Sequence, residues 1–381
     1  MSERVAIVGG GVAGCAVARE LAPAFEVELF EAGQLASGAT ALAAGEVTML
    51  SSYPDEPAIG RHALEFFRAY DGTGEFAFTE LPSVGVVTPD REAEKRRYAD
   101  RLAADGLPVR YLDREAAAES YPTFDLSGLA GLVEFDGTGF LDPYTFAITL
   151  AEEATDRGAT VHTKTPVADL RVEDGAVVGL DLEAGSVDAD HVVVAAGWHS
   201  RALLADHVEI PIRPYRTQCI VLRPETPLPG SFPMGWYPGE HVYFRPEHNG
   251  DLLVGGWSFA EDDPEGASGD ADEAFRQHVA ELVPTFLGGL DGAGYVDGWA
   301  GIDAASPDTR PIVDAPSDAP EGLLVATGFN GRGVMTAPVT ATTVRSLLTG
   351  EPAPFPTEPF AIDRFESRSD EFEFVSISAG E

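Results

Sequence analysis

Val5-Ala6-Ile7-Val8-Gly9-Gly10-Gly11-Val12-Ala13-Gly14, followed shortly by Val27-Glu28-Leu29-Phe30-Glu31, decides the fold. Four consecutive apolar residues predict a buried parallel strand. Gly9, Gly11 and Gly14 then spell G-x-G-x-x-G. In that pattern Gly9 permits the tight turn, Gly11 lets a pyrophosphate approach the backbone, and Gly14 lets the next helix pack close to the strand. That helix, residues 12–21, is rich in alanine, which suits close packing. Its N-terminal N–H groups and dipole face the phosphates. The second apolar run ends at Glu31, 20 residues past Gly11, where an acid accepts bonds from ribose hydroxyls. A bare G-x-G-x-x-G is weak evidence, with a glycine turn and no nucleotide as its plain alternative. Strand, glycines, helix, second strand and terminal acid in register are strong evidence for a bound dinucleotide. The unit alone does not separate NAD from FAD.

Residues 36–47 are small and apolar, as a loop wrapping a cofactor requires; a surface loop is the alternative. Helices are predicted over 61–70, 90–105 and 142–157, the last with Pro143 at its first turn. A strand is predicted over 80–88. Strands at 160–163, 167–172 and 176–182, with a turn at Asp174-Gly175, form an antiparallel meander. His191-Val192-Val193-Val194-Ala195-Ala196-Gly197 predicts another central parallel strand, with a ligand at its carboxyl end. The Pro- and Arg-rich stretch 211–233 leaves the first domain. Residues 241–246 and 251–256 flank Asn249-Gly250 as a hairpin. An acidic loop (261–273), a helix (274–286), strands at 295–302 and 323–328, and a helix at 334–348 follow. Residues after 360 read as an acidic, peripheral tail.

Composition narrows the function. The 381 residues carry 25 Lys and Arg against 63 Asp and Glu, a net charge of −38. The only two lysines are Lys95 and Lys164. Such acidity argues against nucleic acid or an anionic membrane as partner. Acids dispersed over the chain, with Arg replacing Lys, point to a salt-adapted protein; stability that rises with molar salt is the expected result, and full stability in low salt would contradict it. Cys15 and Cys219 show no C-x-x-C or metal spacing, so no metal is expected. The chain shows no secretory leader and no apolar run of the ~20 residues a membrane span takes, so a cytoplasmic location is expected.

Five segments together resemble the D-amino acid oxidase, glycine oxidase and sarcosine oxidase superfamily of FAD-dependent oxidoreductases. They are Gly9–Gly14 with Glu31; Ser37-Gly38-Ala39-Thr40 to Gly45; Val193 to Trp198; Tyr243-Phe244-Arg245-Pro246 with Leu253-Val254-Gly255-Gly256; and Trp299-Ala300-Gly301 through Pro307-Asp308, Pro311-Ile312 and Ala326-Thr327-Gly328-Phe329-Asn330-Gly331. The similarity runs from residue 5 to about 348, and Arg364-Phe365 resembles the family's terminal Arg-Phe.

The resemblance implies an α/β fold, with a Rossmann-like FAD-binding domain interleaved with an α+β substrate domain carrying an antiparallel sheet. The FAD-binding domain takes residues 1–78, 140–212 and 297–361, the substrate domain 79–139 and 213–296, and the acidic tail 362–381. It also implies residue roles. Gly9, Gly11, Val12, Ala13 and Gly14 hold the pyrophosphate, and Glu31 with Ala32 holds the ribose. Thr40, Ala43, Ala44, Gly45 and Val47 line the phosphates and flavin. Val167 meets the adenine, and Ala196-Gly197 approaches the nucleotide. Gly301, Gly328, Asn330, Gly331, Arg332, Gly333, Val334 and Met335 border the isoalloxazine, with the last helix aiming its N-terminus at the pyrimidine carbonyls. Relatives that attach FAD covalently do so through a His where Leu42 stands or a Cys where Gly301 stands, so FAD is expected to be non-covalent here.

The resemblance further implies oxidation of an amine or amino acid by hydride transfer to flavin N5, followed by imine hydrolysis, with oxygen or a redox carrier as electron acceptor. Amino-acid oxidases of the family carry a carboxylate-binding Arg where this chain has Asp303, a residue suited to an ammonium instead. Arg332, Arg245 and Arg213 are the candidate anion partners. Tyr243 alternates with Phe244 on the hairpin and is the expected polar group facing the flavin. Trp257 and Trp299 are candidate pocket walls or plain core. The sequence offers no persuasive catalytic dyad: His199 and His207 lack obvious partners, and no serine elbow or metal helix is present. Oxidation of a 2-hydroxy acid or alcohol, a non-catalytic FAD-bound scaffold, and a nicotinamide dehydrogenase are the alternatives.

Overall fold

A computed structural model describes residues 2–70 and 76–377; the start of the chain, a few residues of the first domain segment and the end of the tail lie outside them. Its organising sheet has six strands in the order Ile312–Asp314, Leu323–Thr327, His191–Val194, Arg4–Val8, Glu26–Phe30 and Thr160–His162. All pair in parallel except the Ile312–Asp314 edge. The all-apolar runs of the central strands fit this position, because both faces are covered. On one face, helix Val12–Leu21 lies between helices Pro143–Asp156 and Gly333–Thr349 over a shared core. On the other, Ala6, Val8, Val192, Val194 and Val325 pack under the Val167–Glu173, Ala176–Leu182 and Gly185–Asp188 sheet.

That small sheet differs from the expected meander. Thr160–His162 is not part of it; it pairs in parallel with Glu26–Phe30, extending the nucleotide sheet. The third meander strand is Gly185–Asp188. A three-residue strand carries too little pattern to reveal its partner.

The second sheet has eight strands in the order Gly294–Ala305, Arg213–Arg223, Leu252–Ala260, Val242–Pro246, Met234–Tyr237, Ser83–Val87, Gly131–Phe135 and Val109–Asp113. The stretch expected to leave the first domain therefore supplies a long interior strand, residues 213–223. Pro82 separates Thr79–Glu80 from Ser83–Val87, and Pro284 ends helix Glu273–Leu282, converting its last turn to Val283–Thr285. One face of this sheet is sealed: Ile220, Val242, Phe244 and Val254 pack against Phe275, Val279 and Phe286. The opposite face carries Tyr215, Thr217, Cys219, Tyr243, Trp299 and Asp303 and turns toward the nucleotide sheet's glycine loops. Alternation puts these residues together, since Tyr215 is in register with Asp303, Cys219 with Trp299, and Tyr243 with Gly255.

The tail is not peripheral. Ile362, at its start, is fully buried. The Arg364 guanidinium donates to both Asp308 oxygens (2.8 and 3.1 Å) and to the Arg310 and Ala361 carbonyls. Phe374 stacks on Tyr215 at 5.0 Å, and Arg213 donates to the Phe372 carbonyl at 3.0 Å. Arg364→Ala is expected to lower the unfolding free energy by about 1–3 kcal/mol, since it orphans a half-buried acid and a carbonyl; a denaturant melt with an unchanged midpoint would contradict this.

Candidate functional site

The nucleotide end is built by close backbone approach. Gly9 has φ +112°, and a Cβ there would collide with the Ala195 carbonyl oxygen. A Cβ on Gly14 would collide with the Gly9 carbonyl oxygen. The helix that begins at Val12 has no acid in its first turn and no side-chain cap from Gly11. Its Val12 N–H instead donates to the Thr40 hydroxyl at 3.1 Å, which brings the 36–47 loop onto the helix N-terminus. Ala13 is buried in the same turn.

Glu31 accepts the Gly10 N–H at 2.7 Å and the Gly33 N–H at 2.6 Å. Each carboxylate oxygen keeps a second lone pair, so ribose hydroxyls have acceptors beside the glycine turn. Ala32, next to it, is exposed. The Thr165 N–H donates to the Glu31 carbonyl at 2.8 Å, two residues before Val167. Gly197 has φ +58°, and its carbonyl accepts the Thr327 hydroxyl at 2.8 Å beyond Ala196.

The 40–47 loop then crosses to the second sheet. Ala43 packs on the core under the nucleotide sheet, and Ala44 is buried against Cys219 and Leu253. Gly45 has φ +74°, and a Cβ there would collide with the Leu141 carbonyl. Val47 is fully buried. The Leu42 carbonyl accepts the Trp299 indole N–H at 2.9 Å, and its side chain lies on Gly301, where a Cβ would stand 2.9 Å from Leu42 Cδ1. Leu42 and Gly301, where the resemblance would place a covalent FAD link, thus meet here, and neither carries a nucleophile. Acid precipitation is expected to release all flavin into the supernatant; flavin retained in the pellet would contradict this.

The third wall is the loop before helix Gly333–Thr349. Gly328, Asn330 and Gly331 all have positive φ. Asn330 spends its side-chain oxygen on the Ser306 N–H (2.8 Å) and hydroxyl (3.1 Å), so its role is to hold the loop. Asp303 Oδ2 accepts the Gly331 N–H at 2.7 Å and the Tyr215 hydroxyl at 3.4 Å. Burial pushes the Asp303 carboxyl up, opposed by N–H groups of Gly331 and Ala304 and by Tyr215. Val334 and Met335 are buried, and the Thr48 hydroxyl contacts Met335 Sδ at 3.7 Å. This last helix also has no acid in its first turn.

The structure sorts the candidate cations. Arg245 is buried and fully engaged: it donates to the Ala44 carbonyl (2.6 Å) and the Pro246 carbonyl (3.1 Å), pairs with Glu247 (3.1 Å), and lies over Phe140. Arg213 is held by Asp262 and the tail. Neither is free for a substrate anion. Arg332 donates to the Thr309 carbonyl at 3.0 Å, and among the described residues no carboxylate lies within 4.0 Å of it. Burial pushes its pKa down, with Tyr53 and Tyr215 nearby.

Tyr243 faces inward as alternation predicts, its ring over Gly255 and its hydroxyl 3.5 Å from Cys219 Sγ. Trp299 shares that face, whereas Trp257 packs on Phe275 and His278 on the sealed side. His207 does have a partner, Asp169 at 3.1 Å, and His199 stacks on Trp198 with Glu265 at 3.7 Å. Both partners are distant in sequence. Glu46, Tyr215 and the Thr217–Ser258 hydroxyl pair (2.9 Å) were not singled out by the sequence. For Glu46 the available signal was a lone acid within a run of small apolar residues.

These features fit FAD: a glycine cradle that a Cβ would fill, two helix N-termini free of acids, and an acid at the end of the second strand. The comparisons agree. Residues 4–347 match the model of the family described as FAD dependent oxidoreductase. A glycine oxidase of Geobacillus kaustophilus is 28% identical over 374 residues, spanning 94% of this chain and 96% of that one. A 4-methylaminobutanoate oxidase (formaldehyde-forming) of Paenarthrobacter nicotinovorans is 25% identical, over 88% of this chain and 42% of that one. The crystal structure of glycine oxidase from Geobacillus kaustophilus superposes with a TM-score of 0.85 at 26% identity, covering 96% of this chain and 100% of that one. Among the described residues no helix is long and apolar enough to cross a membrane. With 344 residues matched in one continuous span (4 to 347), the chain belongs to the FAD dependent oxidoreductase family.

Proposed function

We propose that the chain oxidises a small amine or amino acid at the face formed by Tyr215, Tyr243, Asp303 and Arg332. Gly9 to Gly14, Glu31 and the 40–47 loop would hold the FAD, and the 328–335 loop would border its reactive ring. When bound, FAD supplies the hydride acceptor. The protein's share is positioning and water exclusion. Arg332 carries the reading: it is a half-buried guanidinium with no carboxylate within 4.0 Å among the described residues, near Tyr53 and Tyr215, on the loop that would border the ring. Such a group binds a substrate carboxylate through paired charge-assisted hydrogen bonds. The glycine oxidases and the 4-methylaminobutanoate oxidase among the relatives support a nitrogen-bearing substrate. A 2-hydroxy acid would favour a histidine base, yet His199 is mostly exposed beside Glu265 and His207 is paired with Asp169.

Product analysis tests this. Holoprotein given glycine, sarcosine, dimethylglycine, proline or a D-amino acid, with oxygen or an artificial acceptor, is expected to release an oxo acid or aldehyde and the matching ammonia or amine. Product from 2-hydroxy acids alone would contradict it.

A further inference from the structure

Glu46 carries a buried carboxyl oxygen that no described residue satisfies. It opens the two-residue strand Glu46–Val47, which pairs antiparallel with Gly139–Phe140. Successive strand side chains point to opposite sides. Val47 enters the core with Met49 and Met335, so Glu46 points the other way, toward the inner face of the second sheet. The charged and titratable groups on that side are Arg245 and Tyr243 of Val242–Pro246 and Cys219 of Arg213–Arg223. Behind Phe140 lies His248.

None of them satisfies it. Glu46 Oε1 is buried and has no hydrogen-bond partner among the described residues. Arg245 is spent on Ala44, Pro246 and Glu247. The Tyr243 hydroxyl sits against Cys219 Sγ. Burial pushes the Glu46 carboxyl up to about 8, with Arg245 opposing. Asp303 differs, because its Oδ2 already holds Gly331 and Tyr215. An unsatisfied buried carboxyl costs stability and is retained where a ligand completes it.

We propose that Glu46 receives the substrate's ammonium and takes its proton, acting as the base for the amine oxidation inferred above, on which this rests. The N–H bond breaks as an O–H bond forms at a Glu46 carboxyl oxygen, and the electron pair stays on nitrogen. That lone pair is what allows the neighbouring C–H bond to break with loss of hydride. The pocket therefore takes a protonated primary, secondary or tertiary amine and rejects a quaternary ammonium as substrate, since the latter has no proton to give. Glu46 is a catalytic residue in this account, and Arg332 holds the other end of the molecule.

The test is the pH profile of anaerobic flavin reduction by whichever amine bleaches the wild-type holoprotein, compared with Glu46→Gln, with substrate affinity read separately from the flavin band. A positioned base contributes about 10²–10⁴-fold. Glu46→Gln is expected to reduce flavin about 100-fold more slowly at neutral pH, with full FAD occupancy, and to recover as pH approaches the amine's own pKa. Reduction within about threefold of wild type, with the same pH midpoint, would overturn the role. Should Glu46→Gln fail to retain FAD, Glu46→Asp decides: a shortened carboxyl is expected to move the midpoint by more than about half a unit, and an unmoved midpoint overturns the proposal. A wild-type protein bleached by no amine overturns the reading beneath it; normal wild-type bleaching with an indifferent Glu46→Gln overturns Glu46 alone.

Discussion

Gly14→Val is expected to give folded but colourless protein, retaining less than about a tenth of the wild-type FAD. A Cβ at this position collides with the Gly9 carbonyl oxygen and stands 3.5 Å from the Ile7 side chain. Backbone cannot rotate aside as a side-chain tip can, so helix Val12–Leu21 must move outward from the Arg4–Val8 strand. Overpacking of this kind costs about 1–3 kcal/mol in a well-filled core. The larger loss is functional, because the helix N-terminus and the Gly9 turn must both face the same pyrophosphate. A shift of about 1 Å separates them. Gly128→Ala is the control, since a Cβ there meets nothing within 4 Å. The ratio of flavin to protein absorbance in the purified proteins reads the result. Full flavin content in Gly14→Val would mean that the glycine turn does not hold the dinucleotide.

Arg332→Ala is expected to lower kcat/KM about 100-fold for substrates bearing a carboxylate, or about 2.7 kcal/mol. Truncating one partner of a desolvated charge pair costs about 2–5 kcal/mol. Arg332 approaches the condition: burial pushes its pKa down, and among the described residues no carboxylate pairs with it within 4.0 Å, Asp308 acting only from farther away. Arg332→Lys keeps the charge but loses the planar fork, so an intermediate loss of about 10-fold is expected. Amines without a carboxylate should change by less than about threefold. The comparison between the two substrate classes is the decisive part. Equal losses for both would assign Arg332 to the loop or the flavin instead of the substrate.

The nucleotide half was legible because its signals are local. The apolar run 5–8, the glycines and Glu31 all act within one short unit, and Gly9 and Gly14 stand where close backbone approach leaves no room for a Cβ. Tyr243 was legible by alternation, since Phe244 had to take the sealed face. The cations were not. Arg245, Arg213 and Arg332 look alike in sequence. They separate only through partners far along the chain: the Ala44 carbonyl, 201 residues from Arg245, and the Phe372 carbonyl, 159 from Arg213. The tail was misread for a related reason. Its acids advertise solvent, while Ile362 and Phe374, spaced between them, do the packing. Glu46 was hidden because its exclusion from the core follows from pairing with Gly139–Phe140, which no local pattern announces.

The most direct test of the central claim is anaerobic titration of the yellow holoprotein with sarcosine, dimethylglycine, glycine, proline, D-amino acids and 2-hydroxy acids, following the flavin's visible band. The account predicts bleaching by at least one amine and by no hydroxy acid. A protein bleached by dithionite and by hydroxy acids, but by none of the amines, would contradict it.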